Sequence, residues 1–297
     1  MNTCIKLIKR NVKLFFKDKG MLFTSLITPI ILLVLYAAFL ANVYKQSLTE
    51  NLPNSIELSK SIIDGFVASQ LMSSLLAVSC VTVAFSSNFL MVQDKVNGTI
   101  KDFKTSPVKS SILSLSYYIA TLISTFIISI LAMCVCLGYV YMKGWYMSSN
   151  DVLMLFIDVV LLILFGTALS SVINFFLTSQ GQITAVGTII GAGYGFICGA
   201  YMPISSFSEG IQKIIMFLPG TYGTSLIRNH SMRGALDELN KQGMPKIMIK
   251  SMRDVLDLNL YFFDKKVEME TMYLILCITI VLLLIVYILL NKFKKAK

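Results

Sequence analysis

The sequence predicts an all-α membrane protein with six transmembrane helices and both termini in the cytoplasm. Three observations carry this. Of 297 residues, 56% are hydrophobic and 14% charged, with a mean hydropathy of +0.74; soluble chains hold about 45–50% and about 25%. Charge-free stretches reaching the roughly 20 residues that cross a bilayer recur along the chain. The Lys and Arg residues are unevenly shared between alternate connecting segments. Together these exclude a water-soluble enzyme, a disulfide-stapled secreted module and a disordered chain, whose signature is low hydrophobicity.

The elements follow in order. In residues 1–20, Cys4, Ile5, Leu7, Ile8, Val12, Leu14, Phe15 and Phe16 interleave with Lys6, Lys9, Arg10, Lys13, Lys17 and Lys19. That pattern predicts an amphipathic helix in the headgroup layer, turning into the bilayer at Gly20. Span one covers 21–44; its apolar run exceeds the roughly 7–15-residue core of a cleaved signal. Span two covers 65–92, a polar segment 94–108, and span three 110–142. Residues 159–208 carry no charge over 50 residues, enough for two helices. Span four is placed at 152–178 and span five at 182–202, with Gln180-Gly181-Gln182 as the turn. Residues 203–222 and 223–270 lead to span six at 271–291, all within a single domain, 1–297. Segments 1–20, 93–110 and 291–297 hold 14 Lys and Arg against three acids; the remaining segments hold 12 against 13. The positive-inside rule therefore puts both termini in the cytoplasm. Topology and attraction to anionic lipid account for the basic excess, so no nucleic-acid partner is expected.

Chemistry is sparse. Six cysteines form no CxxC pair, and five lie in apolar runs, reading as small buried hydrophobes. The one histidine, His230, reads as an exposed loop residue, too little for a metal site or a catalytic triad. No Gly-Lys dipeptide occurs, so no phosphate-cradling loop of the GxxxxGK[ST] kind exists. Asp158, about two turns into span four, reads as a helix-packing or snorkelling residue ahead of a proton site. The sequon Asn97-Gly98-Thr99 lies inside by this topology, and Asn229-His230-Ser231 is expected to carry no glycan.

The segment 94–108 is the most informative. Gly98 allows a sharp exit from span two, Thr99 caps a short helix, and Pro107 ends it. Ile100, Phe103 and mixed charges would lie along that helix. The Gly-Thr…Ser-Pro order resembles the ABC-2 type permeases, the membrane subunits of ATP-binding-cassette exporters. A second block, Gly199-Ala200-Tyr201-Met202-Pro203 followed by Leu218-Pro219, Tyr222 and Arg228, resembles the family's outer segment. The resemblance implies a cytoplasmic coupling helix docking on the ATPase through Asp94, Gly98, Thr99, Asp102, Phe103, Ser106 and Pro107, with Phe103 as aromatic anchor. It also implies a re-entrant segment between spans five and six, marked by Pro203, Pro219, Tyr222 and Arg228. Val96 and Lys101 stand where many members carry glutamates, so Asp94 and Asp102 are expected to supply the acidic role. Residues 223–270 are long for the family. Met232, Leu236 and Leu239, then Ile247, Met252 and Leu256, predict one or two amphipathic outer helices.

The resemblance implies a non-catalytic permease, with ATP and Mg held by two copies of an ATP-binding subunit and no cofactor in this chain. A second permease chain completes a homodimer or heterodimer in a bacterial plasma membrane. Apolar spans with few charges suit export of an amphiphilic drug, antimicrobial peptide or secondary metabolite. A polysaccharide or lipid-linked glycan exporter and a non-transporting sensor or immunity subunit stay open. Ser69, Ser73, Cys80 and Ser87 share one face of span two, either lining the pathway or packing a neighbour. Gly187, Gly191, Gly195 and Gly199, four apart, form a groove in span five. It serves either packing within the chain or the dimer interface, where the family resemblance also places spans one and five.

Overall fold

Asp18 interrupts the N-terminal helical run. Its backbone is extended and its carboxylate accepts a hydrogen bond from Met21 N at 3.1 Å, so it caps a new helix. In this computed structural model, which describes residues 2–36, 39, 41–42, 45–46, 58–106 and 108–293, α1 (Asn2–Lys17) ends there. α2 (Lys19–Leu35) leaves at 70° to it. The break precedes Gly20, because a carboxylate satisfying an open backbone N–H fixes a helix start more firmly than glycine's flexibility does. The rest of span one, through Tyr44, falls largely outside the described residues.

The chain continues through α3 (Lys60–Val96), α4 (Thr99–Thr105), α5 (Ser110–Lys143), α6 (Ser149–Phe176) and α7 (Gln180–Ile197). A 3-10 turn at Ile204–Ser206 precedes α8 (Glu209–Ile215), α9 (Pro219–Lys241) and α10 (Lys246–Val255). The strands β1 (Leu260–Phe262) and β2 (Lys265–Val267) pair antiparallel, with Leu260 opposite Val267, before α11 (Met269–Phe293). This hairpin is the one departure from all-α structure among the described residues.

α3 is the axis. Apolar and small on every side, it is buried from Gly65 to Val92 except near Ser86, and α2, α5, α6, α7 and α9 pack around it. α1 lies across α5, burying Leu7, Asn11 and Phe15 at four-residue spacing while Lys6, Lys9 and Lys13 face out. α3, α5, α6 and α11 are each long and apolar enough to cross a membrane, and the bent pair α1–α2 adds a fifth if it is one span. α7, where span five was expected, is an 18-residue, glycine-rich helix of about 27 Å. It does not reach that standard by itself.

Both described chain ends lie at one end of the bundle. Ser114 Oγ donates to Asn291 Oδ1 (2.6 Å) and Tyr287 OH to the Ser114 carbonyl (3.1 Å), so the end of α11 meets the start of α5. α1 meets the same region.

Several expectations are corrected. The turn before α7 is 177–179, because Ser179 and Gln182 form a capping box; the polar residues cap a helix and do not make the turn. The boundary drawn at 222/223 falls inside α9, one helix of 23 residues, because Pro219 suits a first-turn position and nothing interrupts the helix after it. His230 is a buried residue of α9, 4% exposed. Cys134 and Cys277 face outward on spans and are not core residues. Met232, Leu236 and Leu239 join Met252 and Leu256 over Ile62 and Phe66 at the start of α3, whereas Ile247 points away.

Candidate coupling site

The last turn of α3 places Asp94 and Lys95 side by side, pointing to opposite neighbours. Asp94 is buried and receives two hydrogen bonds from Arg10 on α1, from Nη1 at 2.6 Å and Nη2 at 3.1 Å. Tyr117 OH on α5 donates to Asp94 Oδ2 at 2.5 Å. Such charge-assisted forks are the stronger class of hydrogen bond, and a buried carboxylate needs one. Lys95 Nζ donates to the carbonyls of Asn174, Phe175 and Leu177, at 3.0, 2.8 and 3.1 Å, capping the open end of α6. One residue pair of opposite charge thus ties α3 to α1, α5 and α6.

α4 rises from this base. Gly98, at φ +81°, sits in the left-handed region that glycine adopts freely, and its carbonyl accepts from Lys101 N at 2.8 Å. Gly98 therefore occupies the cap position and Thr99 begins the helix, correcting the expected Thr99 cap: a left-handed turn reverses the chain one residue earlier. Ile100 and Phe103 turn inward against the cluster of Phe15, Leu90, Met91 and Leu113. The Arg10 guanidinium lies 5.3 Å from the centre of the Phe103 ring, a cation–π contact. Ser106 is extended, as the residue before a proline should be, and its Oγ donates to the Phe103 carbonyl at 2.7 Å. Pro107 lies outside the described residues. The exposed face of this element holds Asn97, Lys101, Asp102 and Thr105.

This reassigns two expected docking residues. Asp94 is spent on Arg10 and Tyr117, and Phe103 is half-buried beneath Arg10, so both hold α4 to the bundle instead of facing outward. Asp102 is exposed on the surface. Arg10, Tyr117 and Lys95 were not anticipated, since their role exists only where α1, α5 and α6 converge.

The other sequence candidates lie elsewhere. Ser69, Ser73, Cys80 and Ser87 are all buried inside the chain; Ser73 bonds the Gln70 carbonyl, and Cys80 Sγ is 3.9 Å from the Val159 carbonyl of α6. In this conformation the face packs neighbours, because α3 is enclosed by five helices. The glycine stripe likewise faces its own chain. A Cβ at Gly187 would meet Phe89 at 3.3 Å, one at Gly191 would meet Thr28 Oγ1 at 3.3 Å, and one at Gly195 would strike the Tyr201 ring. Gly199 lies beyond α7 at φ +75°, leaving the helix. Of the two readings of this stripe, contacts with α2, α3 and Tyr201 fit packing within the chain.

At the far end, Pro203 precedes the 3-10 turn, Pro219 opens α9, and Tyr222 OH donates to the Met216 carbonyl at 2.6 Å. Arg228 is 1% exposed. It donates to the carbonyls of Leu256 (2.7 Å) and Gly199 (2.9 Å), and to Asp257 Oδ2 at 3.2 Å. It pins α9 to the end of α7 and to the segment after α10. Nearby, His230 Nδ1 lies 2.6 Å from Asp158 Oδ2, and Tyr273 OH donates to Asp158 Oδ1 at 2.5 Å. Asp158 is thus fully buried and joins α6, α9 and α11, which replaces the snorkelling reading: its partner stands 72 positions away in sequence. Asn229 is buried too, its amide donating to the Leu258 carbonyl at 2.7 Å.

A family model described as ABC-2 type transporter matches residues 3–230, covering α1 through the middle of α9. No curated protein matches the chain significantly. The match includes α4 with Arg10, Asp94 and Tyr117, and Asp158, Arg228 and His230 at the far end, and it makes the chain a membrane transport component whose family implies an ATP-binding partner subunit. With apolar crossing helices gripping a short exposed helix at one end, and that match over most of its length, this chain belongs to the ABC-2 type transporter family.

Proposed function

We propose that this chain is the transmembrane permease subunit of an ABC exporter, driven by ATP hydrolysed on a separate subunit. Two permease chains and two ATP-binding subunits form the working unit, and ATP and Mg bind the partner. The observation that carries this reading is α4, a short helix anchored through Phe103 and the Asp94–Arg10 fork, with Lys101, Asp102 and Thr105 outward. A helix so anchored passes a push on its outer face to α1, α3 and α5.

The lysine asymmetry supports α4 and both termini facing the cytoplasm. Six spans are reached with α1 in the headgroup layer, α2 continuing as span one and α7 as span five. Residues 203–218 then form the re-entrant outer segment. Sparse charge in the spans supports an amphiphilic or hydrophobic cargo leaving the inner leaflet. The direct test is co-purification of the tagged chain with its ATP-binding subunit from the native host. Asp102→Lys should abolish capture at an unchanged melting temperature. Undiminished capture by both Asp102→Lys and Lys101→Glu would remove α4 from the docking surface.

A further inference from the structure

Beside the Arg10–Asp94 fork, a small cavity lies between α1, α3 and α5. Its wall includes Asn11, Phe15, Ser87, Thr121 and Ser124. The space open to the centre of a water molecule is about 10 Å³, which is room for one water.

Two of the wall residues carry buried polar atoms without a hydrogen-bond partner among the described residues: Asn11 Nδ2, on a side chain 1% exposed, and Ser124 Oγ, on one fully buried. Arg10 Nη1 donates to Asn11 Oδ1 at 2.8 Å, which fixes the amide so that its NH2 is the unpaired end. An unpaired buried donor or acceptor costs about 1–3 kcal/mol, and Asn11 and Ser124 belong to different helices. A single site that accepts from one and donates to the other removes both penalties, which is the ordinary condition for an internal water.

We propose that this cavity is a binding site for one structural water, accepting a hydrogen bond from Asn11 Nδ2 and donating one to Ser124 Oγ. The water extends the polar chain of the coupling end. From Phe103 under Arg10, through Asn11, the connection passes by the water to Ser124 in α5.

Two measurements on the full chain in lipid nanodiscs test this. In a density map that resolves ordered water, a peak should stand within about 3 Å of both Asn11 Nδ2 and Ser124 Oγ. Absence of that peak where other internal waters are visible, or a direct Asn11–Ser124 bond in its place, overturns the site. The second is a double-mutant cycle on melting temperature with Asn11→Leu, Ser124→Ala and the pair. Each single change strands the other group, so the double variant should lose clearly less than the sum of the two. Additive losses mean that nothing joins the two residues, and the proposal fails.

Discussion

Arg10 meets Asp94, Asn11 and the Phe103 ring with one guanidinium, and its side chain remains 30% exposed while that of Asp94 is 8% exposed. Removing one member of a fully buried pair costs about 3–5 kcal/mol; the exposure of Arg10 lowers the expectation to about 2 kcal/mol for Arg10→Met. Thermal unfolding in mild detergent should show that loss. Arg10→Met with Asp94→Leu should recover part of it, because no charge is then stranded; no recovery would mean that the fork is not what Asp94 relies on. A second residue governs pH behaviour at the far end. Burial pushes the Asp257 carboxyl up from the ordinary 3.8 to about 6, with Arg228 pulling it back. A raised carboxyl pKa means the folded state binds the proton more tightly. Its contribution to stability is therefore full below about pH 4 and lost as pH rises through about 6. The melting temperature of the wild type relative to Asp257→Asn should fall across that window, and a flat difference between pH 4 and 7 contradicts the assignment.

At the scale of elements, the glycine stripe of α7 shows how one pattern serves two architectures. Four-residue spacing announces close approach of a backbone, but not whose backbone. Here Thr28 of α2 stands over Gly191, and Phe89 of α3 over Gly187. Thr28→Cys with Gly191→Cys, in a chain otherwise free of cysteine, should cross-link within one chain on oxidation. A covalent dimer from that pair would return the stripe to a subunit interface. α9 teaches the converse. Its composition is polar, yet Thr221, Ser225, Arg228, Asn229 and His230 are all buried, because α6, the end of α8 and the segment after α10 each supply a partner. Polar residues on a helix signal water only when nothing else can pair with them.

For the whole molecule, the contacts of Arg10 with Asp94 and the Phe103 ring and the hydrogen bonds of Ser114 and Tyr287 gather α1, α4 and the end of α11 at one end of the bundle, with the hairpin at the other. Single cysteines at Lys101 and Lys292 should react with an impermeant thiol reagent from the same face of sealed vesicles, and one at Lys266 from the opposite face. Labelling of Lys101 and Lys266 from one face would break this arrangement. Legible in the sequence alone were the membrane class, the order of the long helices, the short helix after Gly98 and the family. The first three follow from composition, from charge-free length and from local backbone chemistry, and the family from the resemblance carried by segments 94–108 and 199–228, none of which needs knowledge of neighbours. Only the tertiary structure decided that Asp94 and Phe103 face inward, that Asp158 finds His230, and that the glycines pack within the chain. The reason is physical: a side chain's role in a low-dielectric interior is set by the partner that satisfies it, and those partners lie tens of residues away, on helices whose mutual rotation no local pattern specifies.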